Sequence, residues 1–388
     1  MESYIDYHSG VYIPDFLDYT RAIGKVDNLK QLYPIERGRG CNWNKCAFCY
    51  LSQGYKFRIK PNDYLISEIR YIIETIGIKS FFFTDNDVVG SDLLYFDKLL
   101  DGLINLRKDF PDIETKMSEI ISKDLSTSII KKMQLAGFKS LQLGIEAISE
   151  DLLTKINKKQ SVLDNFFVIK TAMKYGIEIL GANLIYSTPS ETSDMVLQSI
   201  NNLHHFRFIL SHKSFTFNLI PLGVANYSRY LSQIRKNNKE SEWNLYDYQN
   251  LVDDRYLTMV DRYSLFDFIT SKKANELWLD FDRIHKFYQE SNYSYTLELT
   301  ESNVFNYKEY INSKLIKDIV FEKKIYSDIL KLLNEKKYSI KDLVTTLEFK
   351  CETITNESLI DALHDLQSEG LIWIDSDNEY VVSIIDIM

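Results

Sequence analysis

The sequence predicts an α/β fold built on parallel crossovers, and two observations carry that reading. Strand and helix patterns alternate six times between residues 32 and 220, at roughly thirty residues per unit, the rhythm of strand–helix–strand crossovers. Polar, chemistry-bearing residues gather where the predicted strands end, the edge at which parallel sheets collect their sites.

The elements follow in order. Leu32–Arg37 reads as a strand that runs directly into R-G-R-G-C-N-W-N-K-C-A-F-C-Y, which holds Cys41, Cys46 and Cys49. Asn62–Ile76 carries apolar residues at helical spacing. Lys79–Thr84 is a short aromatic strand that ends in Asp85, Asn86 and Asp87. Helix Asp92–Leu106, strand Ile113–Ser122, helix Leu125–Leu135 and strand Ser140–Ile145 come next. A broken helix pair, Glu150–Ile156 and Leu163–Lys174, leads to strand Glu178–Tyr186, helix Thr192–Phe206 and strand Ser214–Ile220.

Composition sets the class. The chain has 388 residues, 45% hydrophobic and 26% charged, with no apolar run long enough to cross a bilayer, so a soluble cytoplasmic protein is expected. Its length accommodates one large domain and a smaller one. A net charge of −9 argues against broad nucleic-acid binding, which needs a basic face.

Three thiols within nine residues, with no fourth nearby, suit a four-iron cluster that leaves one iron open. Zinc sites want four ligands, and the six histidines lie far away in sequence. A structural zinc completed by Cys351 is the alternative. A disulfide is disfavoured, because three cysteines cannot pair completely and the N-terminus shows no secretory signal.

A strand, a three-cysteine loop with Phe48 just before the third cysteine, and repeated crossovers resemble the radical S-adenosylmethionine superfamily. The loop departs from the commonest spacing there: Asn42–Lys45 puts four residues, not three, between the first two cysteines. G-C-N-W-N-K-C-A-F-C is similar to the loop of enzymes that mature ribosomally made peptides, often with cobalamin. F-F-F-T-D-N-D, the Gly144-Ile145-Glu146 tract and the Pro189-Ser190-Glu191-Thr192 turn extend the likeness over roughly residues 30 to 220. The resemblance implies a partial (β/α)6 TIM-type barrel and two cofactors, a [4Fe-4S] cluster and S-adenosylmethionine, with an external one-electron reductant. It makes Cys41, Cys46 and Cys49 the metal ligands. Thr84, Asp85 and Asn86 become candidates for the methionyl amino group, and Ser118, Glu119 and Glu146 for the ribose. Lys123 is a candidate for the carboxylate, and the surroundings of Tyr186 for the adenine. Simpler roles stay open: Asp85 and Asp87 as caps before residue 92, and Glu146 as a carboxylate at a helix start.

The remaining chain divides into an N-terminal segment (1–31), a helical bridge or cap after the barrel (231–320, the barrel spanning 32–230) and a tail (321–388). In the tail, helices Glu322–Glu335, Ser339–Leu347 and Glu357–Glu369 precede strands Gly370–Asp375 and Tyr380–Ser383, the pattern of a winged helix. Its third helix is acidic and has no lysine or arginine, so protein contact is expected rather than DNA. The resemblance implies that this module holds the leader of a precursor peptide. No second cysteine cluster exists, and no cobalamin-binding domain is expected ahead of residue 30. The expected reaction is therefore hydrogen abstraction from a peptide Cα, leading to epimerisation or backbone rearrangement, with Cys351 as candidate hydrogen donor; its simpler role is a small buried residue. The alternatives are a C-methyltransferase using cobalamin from elsewhere, a radical enzyme on a small molecule, and a metal-sensing winged-helix regulator.

Overall fold

A computed structural model describes residues 32–49, 57–186, 188, 191–222, 228–236, 243–246, 265–268, 272–300, 304–350, 355–375, 377 and 379–386. The N-terminal segment 1–31 and Cys351 lie outside the described residues.

Strand β1 (Tyr33–Ile35) leads into an antiparallel pair, β2 (Gly38–Arg39) and β3 (Arg58–Ile59). Helix α1 (Asn62–Ile76) buries Leu65, Ile69, Ile72 and Ile73 and stops at Gly77. That residue has φ 80°, a left-handed turn that costs glycine little. Strand β4 (Ser80–Phe83) pairs parallel with β1. Helix α2 (Leu93–Asp109) is capped by Asp92, whose side chain accepts from Tyr95 N. Asp85 and Asp87 are therefore not its caps.

The expected strand Ile113–Ser122 is broken into β5 (Glu114–Thr115) and β6 (Ser118–Ile120). Met117 sits at φ 54° between them, and its N–H donates to Ser140 Oγ instead of to a ladder partner. The sheet continues regardless, because Thr115 bridges Phe138 in parallel. Helix α3 (Thr127–Leu135), strand β7 (Ser140–Glu146), helices α4 (Glu150–Lys155) and α5 (Val162–Lys174), and strand β8 (Glu178–Tyr186) follow. Then come α6 (Ser193–Asn202), a 3-10 turn (Leu203–Phe206), α7 (Arg207–Leu210) and β9 (Phe215–Pro221). Every neighbour along β6-β7-β8-β9 is parallel, as in β1-β4-β5. Parallel strands in chain order, joined by helices, are the α/β arrangement the alternating pattern predicts.

Helices cover one face of this sheet. Phe81, Phe83, Phe96 and Phe138 are fully buried there, with the rings of Phe83 and Phe138 stacked at 6.2 Å. Along each strand side chains alternate between faces. Ile120, Leu143, Ile145, Ala182 and Leu184 all pack into the core, so Glu119, Gly144 and Asn183 fall on the opposite face.

Past β9 the structure corrects the sequence reading. Helices α8 (Arg229–Lys236) and α9 (Lys272–Glu290) are present, as is an antiparallel pair, β10 (Trp243–Tyr246) and β11 (Leu265–Phe268). Residues 293–321, however, are not part of a helical bridge. They form an antiparallel meander: β12 (Tyr293–Leu299), β13 (Phe305–Ile311) and β14 (Lys314–Phe321). Its period is two: Phe305, Tyr307 and Glu309 are buried, while Asn306, Lys308 and Tyr310 between them are half-exposed.

The tail comprises α10 (Lys324–Leu333), β15 (Tyr338–Ser339), α11 (Ile340–Lys350), α12 (Asn356–Ser368), β16 (Ile372–Ile374) and β17 (Tyr380–Ser383). The expected hairpin forms as β16–β17, and β15 adds a third antiparallel strand. Buried polar contacts tie the tail to the α/β unit. Arg207 in α7 donates to both carboxylate oxygens of Glu309 on β13 and to the Gly370 carbonyl. Lys170 in α5 donates to the Ser383 carbonyl at 2.7 Å.

Candidate active site

The three cysteines lie in the loop after β2, at the carboxyl end of β1. Cys46 is buried, and Cys41 and Cys49 are half-buried. The loop is held from outside itself. Ala47 N donates to Ile156 O (2.8 Å), Trp43 Nε1 to Asn157 O (2.7 Å) and Asn157 Nδ2 to Lys45 O (2.9 Å), while the Ala47 carbonyl accepts from Tyr230 N (2.9 Å). No disulfide links the three, all of which are free thiols.

Beside this loop stands a group of charges that the sequence reading found only in part. Lys158 Nζ donates to Glu146 Oε1 at 2.9 Å, with both side chains almost out of solvent (9% and 13% exposed). It also lies 5.9 Å from the ring centre of Phe48, between Cys46 and Cys49. Burial opposes the ammonium, but the carboxylate of Glu146 and the nearby Cys46 outweigh it, so the Lys158 pKa rises. Burial pushes the Cys46 thiol up to about 12, with Lys158 opposing. Burial likewise pushes Glu119 up to about 7 against the pull of Lys158. Glu146 has φ 60° and folds its carboxylate back over Gly144, where a Cβ would lie 3.0 Å from both Glu146 Oε1 and Lys158 Nζ. A side chain at 144 would make the ion pair above it shift by a few tenths of an ångström. Gln160 Nε2 donates to the Gly144 carbonyl, and its buried Oε1 has no partner.

The remaining sequence candidates divide. Thr84 is exposed at the end of β4 and Asn86 is half-buried two residues on. Asp85 is buried, and its Oδ2 accepts from Arg37 N at 2.9 Å. Burial pushes it up to about 7 despite that bond and the Arg37 charge. Asp87 accepts from the backbone N–H groups of Val89 and Ile121, joining the end of β4 to the end of β6. These two aspartates hold the strand ends together. Ser118 is fully buried on the helix-covered face, opposite to Glu119, and its Oγ has no partner. Lys123 is exposed and, among the described residues, makes no ion pair. Lys158, which the sequence reading did not single out, is the lysine paired with Glu146. The sequence reading also passed over Asn183, which lies on the Glu119 face and whose Oδ1 accepts from Asn218 Nδ2 at 3.2 Å.

The donor set suits a cluster. Among the described residues no three His, Cys, Asp or Glu side chains converge to hold a single metal ion. Thiolates that bind separate irons of one cube need not converge in that way. A family comparison agrees: residues 35–203 match the radical SAM superfamily. That stretch is similar to a radical SAM domain, a family whose cofactors are a [4Fe-4S] cluster and S-adenosylmethionine. The domain is similar over 193 residues, at 25% identity, to the heme chaperone HemW of Bacillus subtilis, covering 46% of this chain and 51% of that protein. It is 28% identical over 177 residues to the hopanoid C-3 methylase of Methylococcus capsulatus, covering 44% and 32%. The chain therefore spans about half the length of these relatives or less. In fold it resembles the radical S-adenosylmethionine methyltransferase TsrM from Kitasatospora setae, with a TM-score of 0.52 and 14% identity over 71% of this chain and 54% of that one. The cobalamin-dependent radical enzyme OxsB gives 0.51 and 14%, over 71% and 44%. Both likenesses concern the fold alone.

Among the described residues no helix is long and apolar enough to cross a membrane.

Proposed function

We propose that this radical SAM enzyme binds its cluster through Cys41, Cys46 and Cys49 and abstracts hydrogen from a Cα of a ribosomally made precursor peptide, with epimerisation or backbone rearrangement as the outcome. When bound, the cluster delivers an electron that cleaves the S-adenosylmethionine C–S bond to a 5′-deoxyadenosyl radical. The observation that carries the cofactor assignment is the three-thiol loop at the carboxyl ends of the strands, with the buried Lys158–Glu146 pair beside it. Lys158 is the buried ammonium suited to the methionyl carboxylate. Thr84 and Asn86, rather than the buried Asp85, are suited to accept from the amino group. Glu119, Glu146 and Asn183 are placed to accept from or donate to ribose hydroxyls, and Gln160 offers one more acceptor. Ser118 faces the wrong way for that task.

The peptide assignment draws on the tail. Three helices and a three-stranded antiparallel sheet support the winged-helix reading of the tail, and that reading, with parallel strands in the domain before it, suits an enzyme that holds a leader while its core reaches the strand ends. Cys351 is proposed as the hydrogen donor for an epimerisation. Methyl transfer, with cobalamin supplied from elsewhere, is the second reading, favoured by the likeness to a methylase. Co-expression with a leader-bearing peptide encoded beside this gene, followed by mass spectrometry in deuterated water, tests the choice. A mass-neutral product that gains one solvent deuterium is expected. A methylene gain would replace the first reading with the second, and an unmodified peptide would contradict both.

A further inference from the structure

The spacer between the first two cysteines is gripped at both ends by a turn more than a hundred residues away. Helix α4 ends at Lys155 with Ile156 as its C-cap, and Asn157 follows in the left-handed conformation (φ 55°), where helices commonly place glycine. Asparagine tolerates that backbone and brings a side-chain amide that glycine lacks. The amide is used: Asn157 Nδ2 donates to Lys45 O, while Asn157 O accepts from Trp43 Nε1. Ile156 O takes the N–H of Ala47, just past Cys46. The next residue, Lys158, carries the ammonium paired with Glu146. Within the spacer, Lys45 Nζ lies 4.8 Å from the centre of the Trp43 ring, and Asn44 is itself left-handed at φ 48°.

We propose that the Ile156–Lys158 turn is a mould that fixes the four-residue spacer before the cluster arrives, with Trp43 and Asn157 as positioning residues for cluster retention. This rests on the reading of Cys41, Cys46 and Cys49 as the cluster's ligands. Three thiolates must be brought to a fixed separation to share one cube. A free loop carrying these three cysteines within nine residues would lose conformational entropy on doing so. The three hydrogen bonds place that loss in the folding of the chain instead of in cluster binding. The same turn positions Lys158, so the site that holds the cluster and the charge beside it are set by one piece of backbone.

The test compares wild type, Trp43→Phe and Asn157→Gly after anaerobic reconstitution with iron and sulfide. Trp43→Phe keeps a ring over Lys45 and removes the N–H; Asn157→Gly keeps the left-handed turn and removes the amide. Each loses one bond, so EDTA should strip iron about fivefold faster from either variant than from wild type. Each bond forms in the folded chain, so the cluster-free melting temperature should fall by only about 2 °C. Stripping at the wild-type rate would overturn the proposal, as would a much larger fall in the cluster-free melting temperature, which would make the contacts general supports of the fold. A Cys46→Ala protein with full iron content would instead overturn the ligand reading itself.

Discussion

At the scale of single residues, the site turns on a lysine that no local pattern announces. Lys158 sits twelve positions beyond Glu146 in I-N-K-K-Q, and only the return of the chain after α4 brings its ammonium to the carboxylate and to the cysteine loop. Breaking one partner of so buried a pair leaves an uncompensated charge, at a cost of about 3 kcal/mol. Lys158→Met is expected to lose that much in urea unfolding of the cluster-free protein. Adding Glu146→Gln is expected to return most of it; simple additivity of the two changes would show that the residues are not coupled. Gly144→Ala should leave the fold intact but weaken S-adenosylmethionine binding about tenfold, since the pair must shift to admit a methyl group. Equilibrium dialysis against the reconstituted protein reads this directly. That the cysteine loop and Glu119 stand at strand ends was legible, because residue type and strand-end position coincide. That Ser118 turns to the helix-covered face and Lys123 stands exposed was not, because one-residue alternation and side-chain reach decide which face a polar residue at a strand end takes. Asp85 and Asp87 were drawn off by backbone N–H groups of neighbouring strands, a demand invisible in one dimension.

At the scale of elements, most of the parallel strands were readable because they are short, apolar or aromatic, and most are followed by a helix with a side-chain cap. Asp92, Ser126, Ser149, Ser161 and Thr192 each accept from the first turn of the helix they precede. The break at Met117 was not readable, because it depends on Ser140 capturing an N–H from the neighbouring segment. The meander was missed for another reason. Its strands carry Tyr, Lys and Glu at alternating positions, and one buried carboxylate, Glu309, interrupts the apolar face. That carboxylate is explained by Arg207, which reaches it from α7 with both side chains nearly excluded from water. Tyr307 Oη also donates to it, at 2.7 Å. Arg207→Leu strands Glu309 and is expected to cost about 3–5 kcal/mol. Replacing Glu309 by Gln in the same chain should recover part of the loss. Differential scanning calorimetry checks this, and an unchanged melting temperature would mean that the contact does not join the units.

At the scale of the whole molecule, buried ionisable groups set an unusual pH dependence. Burial raises Asp85, Glu119 and Glu150 to about 7 and Asp87 to about 6. Groups raised in the folded state bind protons more tightly there than in the unfolded chain. Their stabilisation is complete at acid pH and is lost as pH rises through 6 to 7. Burial lowers His204 to about 4 and His205 to about 3, and lowers His285 as well. Their contribution is present above the ordinary histidine value and is lost on acidification below it. The cluster-free protein should therefore grow more stable from about pH 8 to about pH 6.5 and level off below about pH 6. Steady loss of stability over the upper interval would show that these carboxyls are not buried as described. The architecture as a whole was legible down to residue 220, where strand and helix alternate, and less so where the antiparallel strands of 293–321 replaced that rhythm. The central claim concerns Cys41, Cys46 and Cys49. Protein reconstituted anaerobically with iron and sulfide should turn brown and, on reduction with dithionite, release 5′-deoxyadenosine from S-adenosylmethionine. Replacing any one of the three by alanine should abolish that release, and release that persists in all three variants would contradict the account.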